Sequence, residues 1–200
     1  MFERVLDHLF PARCIGCNRC GEMLCSSCAP STEPVHRQLP TLELRALARY
    51  DGTWRRAVLA LKSGRRDLAV SLGIRVAALL DSDDATVVGV PTSRSRRFER
   101  GFDGGELLAN VAARTHGVQS LAALRLLARD RQRGRNRAER LQAKQRFGAC
   151  STLLDGARIT LLDDVCTTGA TLEDAAAALR SAGAIVGRAV VIAVSGAQCS

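Results

Sequence analysis

The stretch ITLLDDVCTTGAT, from Ile159 to Thr171, constrains the fold of this chain more than any other segment. Ile159 to Leu162 is apolar apart from Thr160, a pattern that suits a strand buried on both faces of a parallel sheet. Asp163 and Asp164 follow at its carboxyl end, and Val165 to Thr171 are expected to turn there. Ligands of open α/β sheets bind outside the carboxyl ends of the strands. The turn would gather backbone N–H groups and the hydroxyls of Thr167, Thr168 and Thr171 around Gly169, a nest suited to a phosphate. Thr171 is expected to cap the following helix with Asp174 as its capping-box-like partner, and Gly183 to stop that helix after the run Ala175 to Ala178. A strand-end Asp pair that merely begins a turn is the competing explanation, and it accounts less well for two adjacent acids leading into TTGAT.

Five of the eight cysteines fall in CIGCNRCGEMLCSSC, at Cys14, Cys17, Cys20, Cys25 and Cys28. Two CxxC pairs stand seven residues apart there, a zinc-knuckle pattern in which each pair presents two thiolates to one tetrahedral ion. The preferred ligands are Cys14, Cys17, Cys25 and Cys28. Cys17 and Cys20 also make a CxxC, so the register stays open. An odd local number of cysteines argues against a disulfide framework. The segment has too few apolar residues for a core of its own and is expected to fold only with metal.

At 200 residues and 46% apolar, the chain can form one substantial domain with a small appendage. No apolar run approaches the ~20 residues that span a bilayer, so no membrane insertion is expected. The opening MFERVLDHLFPARC has its apolar stretch broken by Asp7 and His8 and no small-residue cleavage site, which reads as cytoplasmic. The net charge of +9 is concentrated: Arg129 to Arg146 carries eight basic and two acidic residues, and Ser93 to Arg100 four basic and one acidic. The rest of the chain is balanced. Concentrated charge suits an anionic ligand, a solvated basic face being the bland alternative. Few aromatics accompany these arginines, so base stacking has little support. His8, His36 and His116 are scattered with no nucleophile motif beside them, and Trp54 sits at helical spacing with Val58 and Leu61, as core.

The block from Ile159 to Thr171 resembles the phosphoribosyl pyrophosphate (PRPP) motif of type I phosphoribosyltransferases. Three further stretches, LARYDGTWRRAVLALKSGRRDLA from Leu47, VPTSRSRRFERGFDGGELLA from Val90 and QRGRNRAERLQ from Gln132, occur in the order seen in the ComF family. Those proteins join an N-terminal four-cysteine zinc segment to a phosphoribosyltransferase-like domain, and the resemblance covers nearly the whole chain. It implies that Asp163 and Asp164 hold the ribose hydroxyls, with Mg²⁺ bound alongside PRPP. Thr167, Thr168, Gly169 and Thr171, in the loop with Val165, Cys166 and Ala170, would take the 5′-phosphate. Thr92, Ser93 and Arg94 would be the pyrophosphate loop, and Arg131, Arg133, Arg135, Arg137 and Arg140 a basic lid. Lys62 is a candidate substrate-facing cation, or else a solvated helix end.

Some positions depart from the family pattern. Asp103 and Gly104 stand where RGFNQ has Asn and Gln, and Arg133, Arg135 and Asn136 stand where Ser, Leu and Ser are commoner, the two arginines making the lid more basic than usual. Thr160 and Cys166 replace branched aliphatics. The function implied is PRPP binding and transfer of phosphoribosyl to a nitrogenous base. The alternatives are a single-stranded DNA-binding competence factor associated with DNA-uptake machinery, and a non-catalytic PRPP-sensing regulator. A homodimer is a further partner state to consider.

The expected architecture is α/β: a zinc knuckle segment over 1–32, a helical connecting or hood region over 33–84, and a phosphoribosyltransferase-like domain over 85–200 with a mainly parallel sheet flanked by helices. Strands are expected near 87–90, 159–163 and 188–194. The stretch 121–128 is ambiguous, because its Leu/Ala content favours helix while its place in the fold calls for a strand.

Overall fold

The computed structural model of the chain describes residues 11–30, 34–127, 146–150 and 154–196. In chain order the elements are β1 (Val35–Gln38), β2 (Glu43–Arg49), α1 (Gly52–Lys62), α2 (Arg66–Ala77), β3 (Thr86–Gly89), α3 (Arg94–Arg100) and α4 (Gly104–His116). They continue with β4 (Gln119–Ser120), β5 (Leu124–Leu126), β6 (Phe147–Ala149), β7 (Arg158–Cys166), α5 (Ala170–Arg180) and β8 (Ile185–Val194). Six strands form one sheet in the order β1-β2-β8-β7-β3-β4, all parallel except the edge strand β1. The expected α/β class, mainly parallel and flanked by helices, is the one observed.

The sheet has two buried faces because the central strands are apolar at consecutive positions, and side chains alternate sides along a strand. Leu162, Val190 and Ile192 pack with Trp54, Leu72, Val76 and Leu108 on the face covered by α1, α2 and α4. Leu161, Ala189 and Val191 pack with Leu172, Ala176 and Leu179 on the face covered by α5. Each fully buried leucine contributes roughly 1.5–3 kcal/mol. Thr160, the polar intrusion in β7, donates its hydroxyl to Asp84 Oδ1, so its burial leaves no unmet polar group. Among the described residues, no helix is long and apolar enough to cross a membrane.

Three local expectations change and one open reading is resolved. Strand β7 runs on to Cys166, because its ladder with β8 continues through Asp163↔Val191, Val165↔Ala193 and Cys166↔Val194. The two acids therefore lie within the strand's last turn of pleat, and the loop begins only at Thr167. Thr171 is not the cap of α5: Gly169, left-handed at φ +86°, precedes Ala170, so Thr171 is the second helical residue. Gly183, at φ +90°, does follow the helix end as expected. The region 33–84, read as helical, also supplies β1 and β2, since buried Leu44, Ala46 and Ala48 alternate with partly buried Glu43, Arg45 and Leu47 and β2 pairs parallel to β8. In 121–128, pairing overrides helix propensity: Leu124–Leu126 forms an antiparallel ladder with Phe147–Ala149. The lid arginines Arg131, Arg133, Arg135, Arg137 and Arg140 lie outside the described residues.

The segment carrying the CxxC pairs has little core of its own and uses that of the domain. Leu24 and Ala29 are buried in the same cluster as Trp54 and Val58. Arg75 on α2 donates to the carbonyls of Leu24 at 2.7 Å and Ala29 at 3.2 Å, satisfying backbone groups the short segment cannot pair internally.

Candidate functional site

The carboxyl ends of β7 and β3 open into a cleft of about 1100 Å³. Asp163, Asp164 and Thr171 line one wall, Thr92 and Ser93 the facing wall, and Lys62 reaches in from the end of α1. Residues from three distant segments thus meet in one place. Lys62 Nζ lies 2.9 Å from Asp164 Oδ1, in a partly buried ion pair. The amide of Asp164 donates to Asp163 Oδ1 at 2.8 Å. Burial, reinforced by the adjacent charge of Asp164, pushes the Asp163 carboxyl up to about 8, with the Asp164 amide and Lys62 opposing. The pair is short of positive charge.

This shortage has a measurable consequence. A carboxyl whose folded pKa is raised contributes stability that is fully present below its unfolded value near 3.8 and is lost as pH rises toward about 8. Without ligand, the unfolding free energy should decline between about pH 4 and 8, by at most about 1.4 kcal/mol per unit from this group. Asp163→Asn should be the more stable protein at pH 8 and should remove that component of the slope. Urea titrations of both proteins across the range provide the check, and parallel profiles would contradict the assignment.

The loop after β7 divides in two. Thr167, Thr168 and Ala170 are exposed, and Thr171 Oγ1 accepts from Arg146 Nη1 at 3.0 Å. Cys166 instead packs into the core on the α5 side, where burial pushes its thiol up. Gly169 is buried: a Cβ there would stand 2.7 Å from Leu39 Cδ2.

On the facing wall, Ser93 caps α3, accepting from the Arg96 amide at 3.4 Å, and Arg94 begins that helix. The Thr92 amide is taken by Asp103 Oδ2 at 2.9 Å, while Asp103 Oδ1 accepts from Gly105 and Glu106 at 3.1 and 3.2 Å. An asparagine side chain has one acceptor oxygen and could not hold both sides. The departure at 103 is therefore a tie between the Thr92 turn and α4, with the carboxylate only 5% exposed. Arg96, Arg100, Arg125 and Arg146 complete the cleft's charge. Arg146 closes the longer basic stretch and Arg125 lies before it; the place of both on the cleft follows from the β5–β6 pairing, which no local pattern announces.

About the knuckle, the four sulfurs of Cys14, Cys17, Cys25 and Cys28 all lie within 4.8 Å of one another. The Cys14–Cys25 and Cys17–Cys25 sulfur separations are 3.5 and 3.7 Å. A tetrahedral ion with bonds of about 2.3 Å to sulfur has ligand separations near 3.8 Å, so the set fits one ion. Burial resists ionisation of Cys14, but amides including those of Cys25 and Gly16 donate toward its sulfur and hold the thiol down to about 6. Hydrogen bonding to Cys17 and Cys25 pushes Cys28 up to about 12, so full ionisation of the set calls for a cation. Cys20 is exposed and outside the group.

The described residues thus combine a mainly parallel sheet, an acidic pair and a Thr/Gly turn at the end of a central strand, and a preceding four-cysteine cluster able to hold a metal ion. Comparison with known proteins finds partial likenesses. The chain is 36% identical over 97 residues to the competence protein ComFC of Bacillus subtilis (strain 168), a match covering 48% of this chain and 39% of ComFC. It thus spans well under half of that relative. No family model matches. Among solved structures, it is similar to glutamine PRPP amidotransferase from B. subtilis complexed with ADP and GMP, at 23% identity and a TM-score of 0.47, over 64% of this chain and 26% of that one. It is similar also to orotate phosphoribosyltransferase from Aeropyrum pernix, at 18% identity and a TM-score of 0.43, over 84% and 78% of the two chains.

Proposed function

We propose that this chain binds PRPP with Mg²⁺ across the cleft between β7 and β3 and transfers the phosphoribosyl group to a nitrogenous base, releasing pyrophosphate. The observation that carries this reading is the convergence of Asp163, Asp164 and Thr171 with Thr92 and Ser93 on one cleft. The two carboxylates accept from the ribose hydroxyls, and the loop from Thr167 to Thr171 receives the 5′-phosphate, Val165 and Cys166 belonging to β7. Pyrophosphate lies on the facing wall, where Arg96 and Arg100 bring positive charge to a turn whose Thr92 amide is already used by Asp103. The charge-deficient acidic pair suits a divalent ion: Asp163 and Asp164 would hold Mg²⁺, which when bound neutralises the departing pyrophosphate. As the sugar carbon's bond to pyrophosphate oxygen breaks, a bond to the base nitrogen forms. The chain acts by orientation and charge stabilisation, with no covalent nucleophile. The ion of the four-cysteine cluster is zinc in a structural role, because four thiolates leave no open position for chemistry.

Calorimetric titration of the metal-loaded protein with PRPP and Mg²⁺ is the test. Binding should weaken about a hundredfold in the Asp163→Asn/Asp164→Asn double variant, which loses charge-assisted bonds of roughly 1.5 kcal/mol or more each. No heat from the unaltered protein would sink the reading.

A second reading, a single-stranded DNA-binding competence role, is favoured by the likeness to ComFC and by Arg96, Arg100, Arg125 and Arg146 around the cleft. It expects salt-sensitive oligonucleotide binding that persists in Asp164→Asn.

A further inference from the structure

We propose that Arg37, on the antiparallel edge strand, is a positioning residue for the phosphate subsite: it holds the Thr167–Thr168 peptide with its amide turned to the cleft. The inference rests on the phosphate reading above. Strand β1 is separated from β7 by β2 and β8, yet half-buried Arg37 reaches across both. Its Nη1 donates to Thr167 O at 2.8 Å and its Nη2 to Ser195 O at 3.3 Å. The last paired residues of the ladder are Cys166 and Val194, and the Ser195 amide still donates to Cys166 O at 2.9 Å. The guanidinium therefore bridges the first carbonyl beyond the end of each strand. Its planar fork presents two donors in fixed relation, which suits two carbonyls held side by side.

The consequence follows from peptide geometry. In a trans peptide the C=O and the next N–H point in opposite directions, and no cis peptide occurs among the described residues. With the Thr167 carbonyl drawn toward β1, the Thr168 amide is turned away from it. The sheet order puts β1 on one side of β7 and β3 on the other, and the cleft opens between β7 and β3. On this proposal the Thr168 amide faces the start of α5, beside the cleft that Thr171 lines, where an anion would take it. The residues after β1 brace the same loop: Leu39 presses on Gly169, whose left-handed backbone starts the helix. Unclamped, the Thr167–Thr168 peptide can rotate and withdraw its donor.

The test uses ribose 5-phosphate, which carries the sugar phosphate without pyrophosphate, on the metal-loaded chain, read by amide NMR shifts of Thr168 and Gly169. The unaltered protein should show saturable shifts at both. Arg37→Met should bind about tenfold more weakly at a temperature far below its melting point, with the Thr168 shift most reduced, as expected for one lost oriented donor to a charged group. Arg37→Lys keeps the charge but loses the fork, and should recover less than half of the lost binding free energy. Equal affinity of Arg37→Met and the unaltered protein would overturn the proposal alone, as would full rescue by Arg37→Lys, which would make the effect one of charge. Absence of ribose 5-phosphate binding in the unaltered protein would remove the phosphate reading and the proposal with it.

Discussion

Stripping the metal from the four-cysteine cluster should melt the N-terminal segment and loosen the α1–α2 face of the domain core. Leu24 and Ala29, at 1% and 0% exposure, are part of that core, and Arg75 is spent on the carbonyls of the segment. Removing the ion leaves four thiols packed at sulfur separations suited to thiolates, with no covalent or charge constraint to hold them. Loss of the Leu24 burial alone is about 2 kcal/mol, and exposure of the remaining face adds to it. A total of 4–5 kcal/mol would lower the melting temperature of a chain this size by about 10 °C or more. The only tryptophan, Trp54, is 8% exposed in the same cluster and reports the event directly. Chelation should shift its emission to the red, and Cys25→Ser should do the same without chelator. Purified protein that carries no stoichiometric metal, or a chelated sample with unchanged melting and fluorescence, would refute the structural-ion reading.

The second large effect is expected at Gly105. The end of β3 and the start of α4 meet backbone to backbone: a Cβ on Gly105 would stand 2.2 Å from Val90 O, and one on Gly89 2.3 Å from Gly105 O. Neither neighbour is a flexible side-chain tip, so Gly105→Ala must push α4 away from the sheet. Overpacking of this kind costs about 3 kcal/mol or more, and here the same shift pulls Asp103 from Thr92. The variant should melt roughly 10 °C lower and lose PRPP affinity through the displaced Thr92 turn. Gly104→Ala is the control, because a Cβ there meets nothing within 4 Å. Matching melts for the two alanine variants would mean that the close approach relaxes freely.

Much of the site was legible because its parts are contiguous. In ITLLDDVCTTGAT, the apolar run, the acids and the small-residue turn are neighbours in sequence, and short-range sterics suffice to make them strand, strand end and loop. The cysteine spacing was equally readable, since a CxxC turn is local and the exposed Cys20 falls outside the group that the two flanking pairs make. Misreadings arose where a distant partner set the outcome. Strand β7 outlasted its apolar run because β8 kept pairing with it, and the choice left open at 121–128 fell to strand for Leu124–Leu126 because Phe147–Ala149 lay alongside. Asp103, which departs from the family pattern, is a structural tie whose second partner, Thr92, is brought near by the turn between β3 and α3.

From the sequence by itself came the α/β class, the acidic pair with its Thr/Gly turn, and four cysteines that cluster so that they could hold a metal ion, all properties of residues within a few positions of one another. Only the tertiary structure decided that Lys62 pairs with Asp164, that Arg125 and Arg146 share the cleft, and that Arg37 clamps Thr167 from 130 residues away. Those contacts depend on the order of strands across the sheet. That order is settled by which apolar faces can be buried together, a cooperative property of the whole chain that no window of sequence contains.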